Sequence, residues 1–166
     1  MFVNMPDAER NAAPESTLVR ATDIPVITDS KRRIRVVLGE YQGVQGATIS
    51  KQPTTLLDAS IANGGIMVVQ PRQGEHTWIY VFSGSLNLQH GDDEELLSSG
   101  NAIALGSSSS NIKLSAITES KAHLVIVSAA AINEPFLQAG PFAMRDKRAL
   151  NQAQERYQHG QFGHLE

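Results

Sequence analysis

The apolar positions of this chain come in short bursts separated by glycine and polar residues. Windows 24–28, 34–38, 54–58, 66–70, 102–105, 112–117 and 122–127 are rich in Val, Ile, Leu and Thr and are bounded by turn residues, which predicts strands. Gly39, Gly43 and Gly46 punctuate the chain after the second window, and Asn63-Gly64-Gly65 marks a turn between the third and fourth. Within 76–82 a period of two puts Trp78, Tyr80 and Phe82 on one face and Thr77, Ile79 and Val81 on the other. Both faces are largely apolar, so this strand is expected to be covered on both sides. Ser83-Gly84 then makes a tight turn into a strand where Leu86 and Leu88 alternate with Asn87 and Gln89, and His90 to Glu95 reads as a charged hairpin tip. About ten short strands with little helical periodicity predict an all-β sandwich or jelly roll. The exception is the tail. Over 146–158 the apolar residues Ala149, Leu150, Ala153 and Tyr157 form one helical stripe, with Asp146 placed to cap its start and Gly160 following its end. The chain thus reads as an arm over 1–19, a barrel over 20–145, and a helix and tail over 146–166.

Composition narrows the function classes. The 166 residues suit one domain with a real core. A net charge of −3 gives no general attraction to nucleic acid or anionic lipid, and the basic cluster Lys31-Arg32-Arg33 reads as a solvated turn before a strand. The absence of cysteine excludes disulfides, thiolate ligands and a cysteine nucleophile. No apolar run approaches the roughly 20 residues of a membrane span, and no signal peptide is visible, so a cytoplasmic protein is expected.

Five motifs in order carry a family resemblance. They are F-V-N-M-P at 2–6, R-V-V-L-G-x-x-x-G-x-x-G from Arg35 to Gly46, Y-V-F-S-G at 80–84, Q-A-G-P-F-A-M from Gln138 to Met144, and Y-Q-H-G-Q-F-G at 157–163. Together they resemble the C-terminal half of the pirin family. The resemblance implies a cupin-type jelly-roll β barrel with an N-terminal arm and a C-terminal helix. Pirins are bicupins. Their first barrel, which has no counterpart in these 166 residues, carries iron and the quercetin 2,3-dioxygenase activity reported for some members.

A cupin metal site takes an H-x-H pair on one strand, since a period of two points both rings to one side, and a His or carboxylate from a later strand. Registered on the Tyr80-Val81-x-x-Gly84 hairpin, the H-x-H positions fall near Val69 and Pro71, and the second motif falls in 111–115, which has neither His nor carboxylate. A displaced site could use His76, His123 and Glu75. Glu75 and His76 are adjacent, however, and point opposite ways in an extended strand, which leaves two histidines. The other reading makes His76 a hydrogen-bonded residue near the barrel mouth and His123 a strand-face residue. No cofactor and no catalytic residue are assigned.

Three functions stay open. The first is a metal-free binding or assembly module, a homodimer or the partner of a separate metal-bearing pirin or cupin barrel, with Phe2, Val3 and Met5 of the arm at the interface. The second is a metal-dependent, quercetinase-like dioxygenase. The third is a small-molecule binder whose barrel interior is lined by His76, Trp78, Tyr80 and Phe82.

Overall fold

The computed structural model describes residues 4–10, 12–13, 15–48, 50–107 and 110–162. The chain divides into two compact units, Val19–Ala131 and Met1–Leu18 with Ile132–Glu166. In the first unit the strands are β1 (Val26–Thr28), β2 (Arg32–Leu38), β3 (Glu40–Tyr41), β4 (Val44–Gln45), β5 (Thr54–Ala62), β6 (Ile66–Val69), β7 (Glu75–Ser83), β8 (Ser85–His90), β9 (Asp93–Ser98), β10 (Ala102–Leu105), β11 (Ile112–Ala116) and β12 (Lys121–Ala130). Six of them form one sheet in the order β1-β2-β5-β12-β7-β10, and four form another in the order β6-β11-β8-β9. Neighbouring strands in both are antiparallel. The sheets pack face to face as an all-β jelly-roll sandwich rather than closing into a continuous barrel.

Alternation along each strand builds the core. Ile34, Leu57, Ile79 and Ile126 of the larger sheet and Met67, Leu86, Ile112 and Leu114 of the smaller one are fully buried in one cluster. One end of this interior is different in kind. Thr55, Ser128 and Thr77 pair across three adjacent strands and form a buried hydroxyl row, with Thr77 Oγ1 2.8 Å from Ser128 Oγ. The next inward-facing rows, Leu57–Ile126–Ile79 and Ala59–Leu124–Val81, are hydrocarbon.

The turn between β7 and β8 depends on Gly84. Its φ is +77°, and a Cβ there would lie 2.8 Å from Ala122 Cα and 2.9 Å from the Lys121 carbonyl oxygen. The predicted charged tip over 90–95 is mostly strand. Gly91 and Asp92 make the turn, and β9 runs from Asp93 along β8 as an edge strand.

The second unit holds α1 (Asp7–Arg10), the hairpin β13 (Leu137–Ala139) and β14 (Phe142–Met144), and α2 (Lys147–Gln158). The hairpin, read from sequence as barrel, groups with the arm and the tail helix. Hydrogen bonds and ion pairs tie these pieces together. The Asp7 N–H donates to Glu134 Oε2 at 2.7 Å, and Arg145 NH1 meets Asp7 Oδ2 at 3.1 Å. The nearly buried Arg10 guanidinium lies between Asp7 and Glu134, and its Nε donates to the Met5 carbonyl. Phe142, Tyr157 and Phe162 form a ring cluster, with Arg156 over Phe162.

Helix α2 starts as the sequence predicts. Asp146 Oδ1 accepts the Ala149 N–H at 2.9 Å. That bond, with help from the Arg145 side chain, holds the Asp146 carboxyl below its ordinary value. A depressed folded-state pKa means that the cap contributes fully above the ordinary aspartate range and is lost as pH falls through the lowered value. The protection of the Ala149 amide, its exchange rate by NMR relative to the intrinsic rate at the same pH, should therefore fall on acidification below that range, and Asp146→Ala should abolish this pH-dependent change in protection.

Candidate functional site

The outer face of the six-stranded sheet gathers most of the residues singled out in the sequence. Along β7, Glu75, Thr77, Ile79 and Val81 point into the sandwich, while His76, Trp78, Tyr80 and Phe82 point out. Trp78 is 42% and Phe82 52% exposed. The aromatic residues are thus excluded from the interior, which corrects the reading of an internal pocket lined by His76, Trp78, Tyr80 and Phe82. The physical reason lies in the neighbouring strands. Trp78, Tyr80 and Phe82 share their face with His123 of β12, Asp58 of β5 and Arg35 of β2, and a face bearing these charges cannot be the core.

The face has a definite build. Trp78 stacks on Tyr80 with centroids 5.9 Å apart, Tyr80 meets Phe82 edge-on at 4.9 Å, and Phe82 lies 5.0 Å from the His123 ring. Beside this ladder, Val127 pairs with Trp78 and Leu56, and Val125 pairs with Tyr80 and Asp58. Polar groups close one corner. His123 Nε2 is 2.6 Å from Asp58 Oδ1, and Asp58 Oδ2 is 3.1 Å from Arg35 NH1. An ionised carboxylate only accepts, so Nε2 carries the proton and a neutral ring keeps its lone pair on Nδ1. By contrast, the outer face of the smaller sheet carries Asn87, Gln89, Lys113 and Ser115, as a solvated face should.

The displaced metal site is not assembled. His76 pairs with Ala129 and His123 with Ser83, which separates the two rings by six residues of strand, about 20 Å. Glu75 points inward, where Oε2 accepts the Arg72 N–H at 2.9 Å. The inward positions nearest the registered metal slots hold hydrocarbon: Val69, Ile112 and Leu114 are all buried. Among the described residues no three His, Asp or Glu side chains come together as metal ligands, so the residues present do not fit a cupin iron.

The arm residues fare differently. Phe2 and Val3 lie outside the described residues. Met5 is half-buried within its own unit and borders a cavity of about 210 Å³ with Phe142, Ala143 and Met144. Sequence reading missed Asp58 and Arg35. Asp58 is 65 positions from His123, and only the antiparallel register of β5 and β12 joins them. Among the described residues no helix is long and apolar enough to cross a membrane.

Comparison with known proteins places this architecture. Mouse pirin is 24% identical over 153 residues, covering 92% of this chain and 52% of its own length. Pirin-1 of Arabidopsis thaliana is 20% identical over 163 residues, covering 98% and 57%. The chain therefore spans about half the length of the curated relatives it matches. A crystal structure of quercetin 2,3-dioxygenase from Acinetobacter baumannii superposes with a TM-score of 0.83 at 24% identity, over 99% of this chain and 56% of that one. Residues 56–163 match the Pirin C-terminal cupin domain, and the chain belongs to the pirin family.

Proposed function

We propose that this chain is an assembly module without a catalytic site of its own, and that the outer face of its six-stranded sheet docks onto a second cupin barrel, here another copy of the same chain. The observation that carries this reading is the aromatic ladder of Trp78, Tyr80 and Phe82, with Trp78 and Phe82 exposed and Tyr80 half-buried between them, beside Leu56, Val125 and Val127. Sequence patterning marks β7 as a strand built to be covered on both sides, yet only one side is covered. Contiguous exposed apolar surface of this kind marks an interaction site. Trp and Tyr contribute most at interface centres, and a two-fold pairing uses each contact twice. The length of the relatives, about twice that of this chain, supports a second barrel as the natural cover. The module holds no metal in this reading.

The name of the Acinetobacter neighbour favours a second reading, a quercetinase-like dioxygenase. Such oxygen chemistry needs a redox metal or an organic cofactor, since side chains do not replace it. Light scattering and elemental analysis on the full chain test both readings. A dimer at micromolar concentration without stoichiometric metal is the expected result. A monomer at that concentration refutes the self-association, and about one iron per chain favours the dioxygenase.

A further inference from the structure

The polar end of the sandwich has the build of a second site, separate from the aromatic face. The buried polar side chains among the described residues are Gln52, Thr54, Thr55, Glu75, Thr77 and Ser128. They come from three distant segments and meet at one end: the start of β5, the start of β7 and the end of β12. Elsewhere the interior is hydrocarbon. Polar side chains are costly to bury unless hydrogen-bonded, and a fold needing only stability would distribute or remove them.

Arg72 stands over this end. It opens a turn in which the Glu75 N–H donates to the Arg72 carbonyl at 3.0 Å and Gly74 adopts a φ of +85°. The Arg72 N–H in turn donates to Glu75 Oε2. The Glu75 side chain is 6% exposed, whereas that of Arg72 is 57% exposed, and the guanidinium lies 4.0 Å from Glu75 Oε1. A buried carboxylate thus meets the guanidinium at the outer limit of an ion pair, and more than half of the Arg72 side chain stays open to solvent.

Arg72 borders two clefts. One, of about 400 Å³, is bordered by Glu40, Gln42 and Gln70 beside Tyr41. The other, of about 190 Å³, is bordered by Thr48, Ser50 and Thr54. Gln42 has a φ of +51°, a left-handed conformation that is uncommon outside glycine. From the tip of the β3–β4 turn it borders the larger cleft. Glu40 is already engaged, accepting from Gln45 Nε2 at 2.6 Å. The surroundings of Arg72 therefore offer amides and hydroxyls, with one carboxylate on the wall.

We propose that the Arg72 clefts bind a small monocarboxylic acid carrying several hydroxyl groups. The guanidinium takes the carboxylate, a match of planar donor fork to planar acceptor. The amides of Gln42 and Gln70 and the hydroxyls of Thr48 and Ser50 take the ligand hydroxyls. Glu40 repels a second carboxylate, which selects monoacids over diacids.

Gluconate is a suitable probe, with sorbitol as the same chain lacking the acid and acetate as the acid lacking the hydroxyls. In titrations followed by the Arg72 side-chain N–H resonance, gluconate should saturate with a Kd of about 1 mM, a value in keeping with a ligand of its size. Sorbitol and acetate should bind at least about tenfold more weakly. Followed instead by the side-chain amide resonances of Gln42 and Gln70, Arg72→Gln should lower gluconate affinity about tenfold or more in a chain that still folds. Glu40→Gln, on the outer rim, should admit glucarate, the corresponding diacid. The site is overturned if gluconate perturbs this resonance no more than acetate does, or if gluconate affinity survives Arg72→Gln in a folded protein.

Discussion

Trp78→Glu is expected to give a folded chain that no longer self-associates. Trp78 is the largest side chain of the exposed ladder, stacked on Tyr80 and level with Val127 and Leu56 of the two adjoining strands. Truncating a central aromatic anchor removes about 2–4 kcal/mol from an interface, a roughly 30- to 1000-fold loss of affinity. Glutamate also brings a charge into the seam, and a two-fold contact meets that charge twice. Stability should change little by comparison. The ring already faces solvent on one side, and losing its stack on Tyr80 costs about 0.5–1.5 kcal/mol. Sedimentation equilibrium should report a monomer with native β-sheet circular dichroism. A variant that stays dimeric would move the interface off this face, and one that unfolds would make Trp78 part of the core.

Gly84→Ala is expected to be among the most damaging small substitutions in the sandwich. Two costs add. Holding an L-residue in a left-handed conformation costs about 1–2 kcal/mol. The new methyl would also lie 2.8 Å from Ala122 Cα and 2.9 Å from the Lys121 carbonyl, backbone atoms of the strand that pairs with β7. Relief requires β12 to move just where its register with β7 already slips, between His123 and Leu124. A total loss of about 3 kcal/mol or more follows, a large part of the 5–15 kcal/mol of an ordinary domain. Gly100→Ala is the control. Gly100 has a φ of +84° with open space around it, so it carries the conformational cost alone. Urea midpoints at equal m-values would separate the two costs. Equal losses at Gly84 and Gly100 would dismiss the role of the close approach.

Much of the fold is legible because local patterns agree with it. Strand windows, the Ser83-Gly84 turn and the Asp146 cap all depend on a few adjacent residues. Strand β9 was hidden by its charges. Asp93, Glu94 and Glu95 read as a tip, yet they lie on a sheet edge, where charge is a common feature because it blocks pairing with other chains. The functional face was half legible. Period two correctly put Trp78, Tyr80 and Phe82 together, but parity alone does not say which side of a strand faces inward. That answer came from His123, Asp58 and Arg35 on neighbouring strands, and therefore from register. The polar end was less legible still, because Gln52, Glu75 and Ser128 share no local signal and become neighbours only when β5, β7 and β12 are laid side by side.

The place of β12 between β5 and β7 has a consequence for how the chain comes to fold. The central strand of the larger sheet is among the last to be made, so β5 and β7 cannot be joined until residue 130 is available. Until then, β7 offers unpaired backbone on the side that β12 will fill, and its segment Thr77–Phe82 is apolar, aromatic and uncharged. Such a segment is the kind that pairs with its like when left open. Pairings between residues so far apart in sequence also form slowly. The same aromatic strand that gives the finished sheet its exposed aromatic ladder is thus, earlier in the life of the chain, a segment open to misassembly, and the arrival of β12 ends that exposure on its edge while leaving its outer face open.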